Sequence, residues 1–184
     1  MNLKWVVISQ SWVLFGSGLV FPFYIIFIRE VGGGFSEFGL AYGIFMLSSA
    51  MVHRWVGRIS DKFGRKVFLL INAWGTAVLF LLFPVVTSMW EVYVLQVLLG
   101  ILGAMQKTSE KALIADFTEG ISRGQQIGSY HFWVSIFSGF AVIAGGFLID
   151  IFTVDIIFYL GSVVLFVSGL FIIRIEESKR GVED

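Results

Sequence analysis

The sequence predicts an all-α integral membrane protein built from six transmembrane helices. Three observations carry that prediction. Of its 184 residues 57% are hydrophobic and only 14% charged, with a mean hydropathy of +0.88, well outside the range of soluble domains. The apolar residues fall into six uncharged runs joined by short connections, and the basic residues gather at alternate connections. In hydrocarbon every backbone N–H must be paired, so each run is read as a helix rather than an open strand.

About 20 apolar residues at about 1.5 Å each cross a hydrocarbon core of about 30 Å. The first span runs from Trp5 to Ile28. It is too long for a signal-peptide core and lacks a small-residue cleavage site, so it is expected to stay in the membrane. The second runs from Phe38 to about Val56, with His53 and Arg54 at its end, and the third from Val67 to the interfacial pair Met89 and Trp90. The fourth covers Val92 to Leu113, the fifth Ile127 to Ile149 and the sixth Ile156 to Ile173, which leaves no soluble domain to place.

Lys and Arg are favoured in short cytoplasmic loops. Of the 13 basic residues, Lys4, Arg54, Arg58, Lys62, Arg65, Lys66, Lys107, Lys111, Arg123, Arg174, Lys179 and Arg180 fall at one side, and Arg29 alone falls opposite. Both termini are therefore expected in the cytoplasm, in a multi-pass protein of the cell membrane.

The two halves repeat at an offset of 89 residues. Gly39 and Tyr42 fall on Gly128 and His131, and Gly57, Asp61 and Phe63 fall on Gly146, Asp150 and Phe152. One domain over residues 1–184 is thus read as two three-helix units, about 1–89 and about 90–178, the second necessarily inverted.

The sharpest local signal is the connection between spans two and three, Gly57-Arg58-Ile59-Ser60-Asp61-Lys62-Phe63-Gly64-Arg65-Lys66. Gly57 admits a close neighbour, Gly64 permits a turn with positive φ, and Asp61 can pair with Arg65 or sit near a helix N-terminus. A plain basic loop accounts for the Lys and Arg but not for the Gly-Asp-Gly spacing. In pattern, position and side, this loop resembles the signature loop of the major facilitator superfamily. The resemblance extends to Ala112 through Asp116 followed by Arg123, Gly124 and Gly128, and covers nearly the whole chain as the amino-terminal half of a full transporter.

The resemblance implies that Gly57, Asp61, Lys62, Gly64, Arg65 and Lys66 brace a conformational switch against a second six-helix half. Two departures limit what carries over. Gln96 stands four residues before Gly100 where many members have Arg, and Ala141 to Gly146 lacks the Gly-Pro pair of antiporters. Because two copies inserted in parallel would reproduce the full arrangement, a homodimer with alternating access is expected, with spans one and four lining the path. The alternatives are pairing with a separately made second half and an accessory subunit that moves nothing.

Polar groups within spans are the candidates for substrate or proton coupling, since they are costly in hydrocarbon. Gln10, Glu110 and His131 lie at similar depth and are expected to form one polar layer; Gln96, Lys107 and Lys111 complete the set. Lys107 and Glu110, three apart, can share a helix face and partly neutralise each other. If span four ends near Gln106, the Lys107 to Lys111 cluster is instead a solvated helix end. Ser135 with Gly139, and Ala141 with Gly145, are small-residue pairs expected at close helix contacts.

The chain holds two His and no Cys, and neither a nucleophile elbow nor a phosphate-binding loop, so an enzyme is not expected. No cofactor or metal is expected. A net charge of zero offers no nucleic-acid surface. The partners expected are the bilayer, a second half and a small solute, neutral or amphipathic because span one carries no Asp or Glu. Uptake and efflux stay open.

Overall fold

The computed structural model describes residues 3–118, 120 and 122–176. Lys179, Arg180 and the end of the second repeat at 178 lie outside the described residues. Six helices are long and apolar enough to cross a membrane: α1 (Leu3–Glu30), α2 (Phe35–Phe63), α3 (Arg65–Val85), α4 (Met89–Phe117), α5 (Arg123–Ile151) and α6 (Asp155–Ile173). The described residues contain no strand.

The uncharged runs located every helix but underestimated most lengths, because polar and charged residues extend the ends. α2 starts at Phe35, where Glu37 reaches back to the Gly34 N–H at 2.8 Å. α4 starts at Met89, with Glu91 accepting from the Thr87 and Ser88 N–H groups at 2.9 and 3.1 Å. Each glutamate answers donors that have no partner in the first turn. The two prolines act as breaks: α1 passes through a 3-10 turn at Phe21–Phe23 around Pro22, and α3 ends in one at Phe83–Val85 around Pro84.

The helices pack as five main pairs, α1 with α5, α1 with α6, α2 with α4, α3 with α4 and α3 with α6. Exchanging α1–α3 for α4–α6 maps this set onto itself, as in half of a major facilitator fold. Each pair has a glycine at its contact. A Cβ on Gly100 of α4 would lie 2.5 Å from the Phe45 carbonyl oxygen of α2, and one on Gly145 of α5 would lie 3.0 Å from the Leu19 carbonyl oxygen of α1. In lipid, close backbone approach supplies the dispersion contacts that hold helices together. Ala141 and Gly145 behave as the sequence led one to expect. Ser135 and Gly139 do not, since they point out of the bundle and Gly139 meets nothing within 4 Å.

Burial is uneven. In α2 and α5 17% of the apolar window is buried, against 39–50% in the other four helices. Aromatic packing concentrates where α1, α3 and α6 meet, with Phe158 touching Phe27, Phe80 and Phe83.

Candidate functional site

The connection between α2 and α3 is a single residue, Gly64, with φ +94°. Only glycine adopts this backbone without strain. Arg65 opens α3 and ties three things together: it donates to Asp61 Oδ1 at 3.2 Å, donates to the Ala112 carbonyl at 3.0 Å, and forms an ion pair with Asp116 near the end of α4. Lys66 donates to the carbonyls of Ile173 and Ile175 at 2.5 and 2.7 Å, so a cation sits at the C-terminus of α6, where the helix dipole favours it.

Arg65 and Lys66 are thus held by the ends of α4 and α6 within one chain. Asp61, with a side chain 67% exposed, and Lys62, also exposed, face outward. Gly57 differs from its expectation: a Cβ there would make an ordinary 3.8 Å contact with Thr108, so no close neighbour inside the chain requires the glycine.

A buried polar layer lies under this loop. Gln106 of α4 is its hub. It accepts from Asn72 Nδ2 of α3 at 2.9 Å and donates to Gln10 Oε1 of α1 at 2.5 Å and to Glu110 Oε2, one turn along α4, at 3.3 Å. Thr76 donates to Asn72 Oδ1 at 3.3 Å, and the Tyr130 hydroxyl of α5 donates to Glu110 Oε1. Gln10 and Tyr130 are fully buried, and Glu110 is half-buried. Four helices therefore meet through uncharged donors around one carboxylate. Among the described residues Glu110 pairs with no cation. Gln10 Nε2 and the neighbouring Ser109 hydroxyl are buried without a partner.

The expected layer of Gln10, Glu110 and His131 is met by its first two members, joined through Gln106. His131 is exposed, its ring edge-on to Tyr130 at 5.2 Å. The residue that enters the layer is its neighbour, because a step of about 100° along the helix turns Tyr130 inward and His131 outward. The expected pairing of Lys107 with Glu110 is not formed. The Lys107 ammonium instead lies 6.0 Å over the Phe45 ring on α2, and Lys111 is exposed. Nor is this stretch a solvated helix end, because Ser109 and Leu113 on the same turns are fully buried. Gln96 is buried apart from the layer, near Tyr24 and one turn from Gly100.

Asn72, Thr76, Gln106 and Tyr130 were not among the sequence candidates. For the first three the signal was a spacing of four residues within a helix, Asn72 to Thr76 and Gln106 to Glu110, which places each pair on one face.

Two inverted helical triplets, a clasped loop between the second and third helices and a polar layer at one end of the bundle define a transporter-type membrane half. The chain belongs to the Major Facilitator Superfamily, whose pattern it matches over residues 6–184. It is 49% identical over 162 residues to YitZ of Bacillus subtilis (strain 168), described as an uncharacterized MFS-type transporter, covering 88% of this chain and 99% of that protein. It is 29% identical over 157 residues to the multidrug resistance protein MdtG of Proteus mirabilis (strain HI4320), and 31% identical over 158 residues to that of Klebsiella pneumoniae (strain 342). Those matches cover 83% of this chain and 39% and 38% of the MdtG proteins. The chain thus spans under two fifths of the MdtG length, and nearly all of YitZ.

Proposed function

We propose that this chain is one six-helix half of a small-solute transporter, completed by a second copy inserted in parallel, and that rocking of the two copies alternates access to a path along α1 and α4. One observation carries the reading. Five glycines inside helices, Gly39 and Gly43 of α2 and Gly124, Gly128 and Gly139 of α5, have nothing within 4 Å of the point where a Cβ would stand. At about 100° per residue, Gly39, Gly43, Ala50, Gly57 and Asp61 form one stripe on α2. Gly124, Gly128, His131, Ser135 and Gly139 form another on α5. Small residues in membrane helices serve close packing, and these stripes occupy the two least-buried helices.

Asp61 and His131 then belong to the seam between copies. Glu110 is the coupling carboxylate, exchanging its proton beside Tyr130 and Gln106 while Gln10 links that change to α1. Lys4, the Gly57–Lys66 loop and Arg174 share one end of the bundle, the cytoplasmic one by the basic-residue rule. The multidrug resistance name of the MdtG proteins supports an amphipathic substrate and export.

The chain has no cysteine, so introduced ones report alone. Arg54→Cys in one tagged copy and His131→Cys in another, at similar depth on the two stripes, are expected to cross-link between copies in membranes. Vesicles made from the same preparation are expected to move a neutral amphipathic dye under a pH gradient. A strictly monomeric particle without the cross-link sinks the two-copy reading. The greater length of the MdtG proteins favours a second reading, in which a different six-helix half takes the place of the second copy; it is distinguished by the mass of the complex. A dimer that transports nothing leaves the accessory role.

A further inference from the structure

α1 and α5 touch closely in their outer halves, where Gly18 meets Ala141 and Gly145 meets Leu19. Toward the end that carries Lys4 the contact is made by large rings instead, with Trp12 of α1 and Phe137 of α5 at 6.4 Å. The result is a groove of about 450 Å³, lined on α1 by Lys4, Ser11 and Trp12 and on α5 by Ser129, Trp133 and Phe137. That volume lies in the range of about 300–1,000 Å³ expected for a small-molecule site.

The position of the groove narrows what occupies it. Ser129, Trp133 and Phe137 recur every four residues on α5, on a face centred roughly 150° from the Gly124, Gly128 and Gly139 stripe. Trp12 also stacks on Phe171 of α6 at 6.3 Å, so the groove opens on the α1, α5 and α6 side of the bundle. Trp133 is 48% exposed there. This is a bilayer-facing surface, whatever packs against the small-residue stripes.

The chemistry of the lining runs from charge to apolar. Lys4, in the first turn of α1, is the one charged side chain of the lining. The N–H groups of that turn and the helix dipole also favour an anion. About 10 Å deeper, at 1.5 Å per residue over seven residues, Ser11 is 2% exposed and its hydroxyl has no hydrogen-bond partner. A buried hydroxyl left unpaired is costly, and this one lines the deep end of the groove. Between the two lie aromatic and aliphatic walls of the kind that collect at a membrane interface.

We propose that the α1–α5 groove is a binding site for an anionic phospholipid of the leaflet that holds Lys4. The phosphate sits at Lys4 and the start of α1, an ester carbonyl accepts from the Ser11 hydroxyl, and an acyl chain lies along Trp12, Trp133 and Phe137. One lysine at the surface is worth about a fivefold preference for an anionic over a neutral headgroup.

The full chain in mild detergent, given equal amounts of phosphatidylglycerol and phosphatidylcholine with matched acyl chains, tests this by native mass spectrometry. Wild type is expected to retain phosphatidylglycerol preferentially. Lys4→Gln is expected to bring the two lipids to near parity, a loss of about fivefold, while Arg58→Gln, an exposed cation of α2, leaves the preference intact. Ser129→Trp fills the groove from an exposed position without touching the core, and is expected to lower retention of both lipids with the melting temperature unchanged. Equal retention of the two lipids by wild type overturns the proposal. So does a preference that survives both Lys4→Gln and Ser129→Trp.

Discussion

The glycines divide this protein into two regions that follow one rule with opposite outcomes. At the five internal helix pairs a glycine sits against the backbone or a side chain of its partner helix, and the contact is made. On the outer faces of α2 and α5 Gly39, Gly43, Gly124, Gly128 and Gly139 meet nothing. Residue type and helix type are the same in both regions, so the difference lies in whether a partner is present. Inside the chain the glycine contacts are made; the α2 and α5 stripes are left open to the partner proposed above.

The largest expected effect tests the packed region. Gly100→Val places a branched side chain where even a Cβ would stand 2.5 Å from the Phe45 carbonyl oxygen and 2.8 Å from Ser48 Cβ. Neither atom is the end of a flexible side chain, so α2 and α4 must separate. Overpacking of this kind costs about 3 kcal/mol or more, and the melting temperature in detergent is expected to fall sharply. Gly139→Val, in the open region, is expected to leave the monomer's melting unchanged while abolishing the cross-link between copies. Equal destabilisation by the two changes would erase the distinction between the regions.

The buried polar layer comes next. Gln106→Leu takes away the bonds of Asn72 Nδ2, Gln10 Oε1 and Glu110 Oε2, while Thr76 and Tyr130 keep theirs to Asn72 and Glu110, at about 1–3 kcal/mol for a buried polar group left unpaired. Melting should drop by less than for Gly100→Val. Glu110→Gln retains an acceptor for Tyr130 and is expected to alter stability by less than about 1 kcal/mol, yet to abolish pH-gradient-driven movement of solute. Unaltered gradient-driven transport removes Glu110 from the coupling step.

These two layers of the molecule were unequally legible in the sequence. Helix number, order and approximate position followed from uncharged runs, because hydrocarbon admits little else. The loop followed from Gly57, Asp61, Gly64 and Arg65, whose spacing is local and whose partners sit within a few residues or at the nearest helix end. The polar layer was legible in part. Glu110 and Gln10 stood out as polar groups in apolar runs, whereas Asn72 and Gln106 are uncharged and passed as tolerable. Tyr130 was masked by the general abundance of aromatic residues. His131 drew notice for its titrating ring, but the orientation of α5 is set by Val134, Ala141 and Gly145, which share a face with Tyr130. Which neighbour turns inward is a matter of tertiary packing. The same applies to Lys107 and Glu110: their spacing permits a pair, and the cation is drawn to Phe45 of α2 instead.

The smallest expected effect on stability falls at Asp61, and it sharpens the comparison most. Its carboxylate is 67% exposed, and its contact with Arg65 at 3.2 Å is a surface ion pair, worth about 0–1 kcal/mol. Arg65, only 13% exposed, keeps the Ala112 carbonyl and Asp116 when that contact is lost. Asp61→Asn is therefore expected to leave the monomer's melting within about 0.5 kcal/mol of wild type. Arg65→Gln abandons Asp116 at the end of α4 and should cost more, about 1–2 kcal/mol for a partly buried charge pair. If the α2 stripe is a seam, transport should invert this order of sensitivity. Asp61 lies on the stripe with Gly57 and faces outward, so its loss should impair the opening and closing of the cytoplasmic side beyond anything its stability effect accounts for. A transport defect in Asp61→Asn that merely tracks its small loss of stability would place the carboxylate in solvent, and would leave Gly57 without a reason to be glycine.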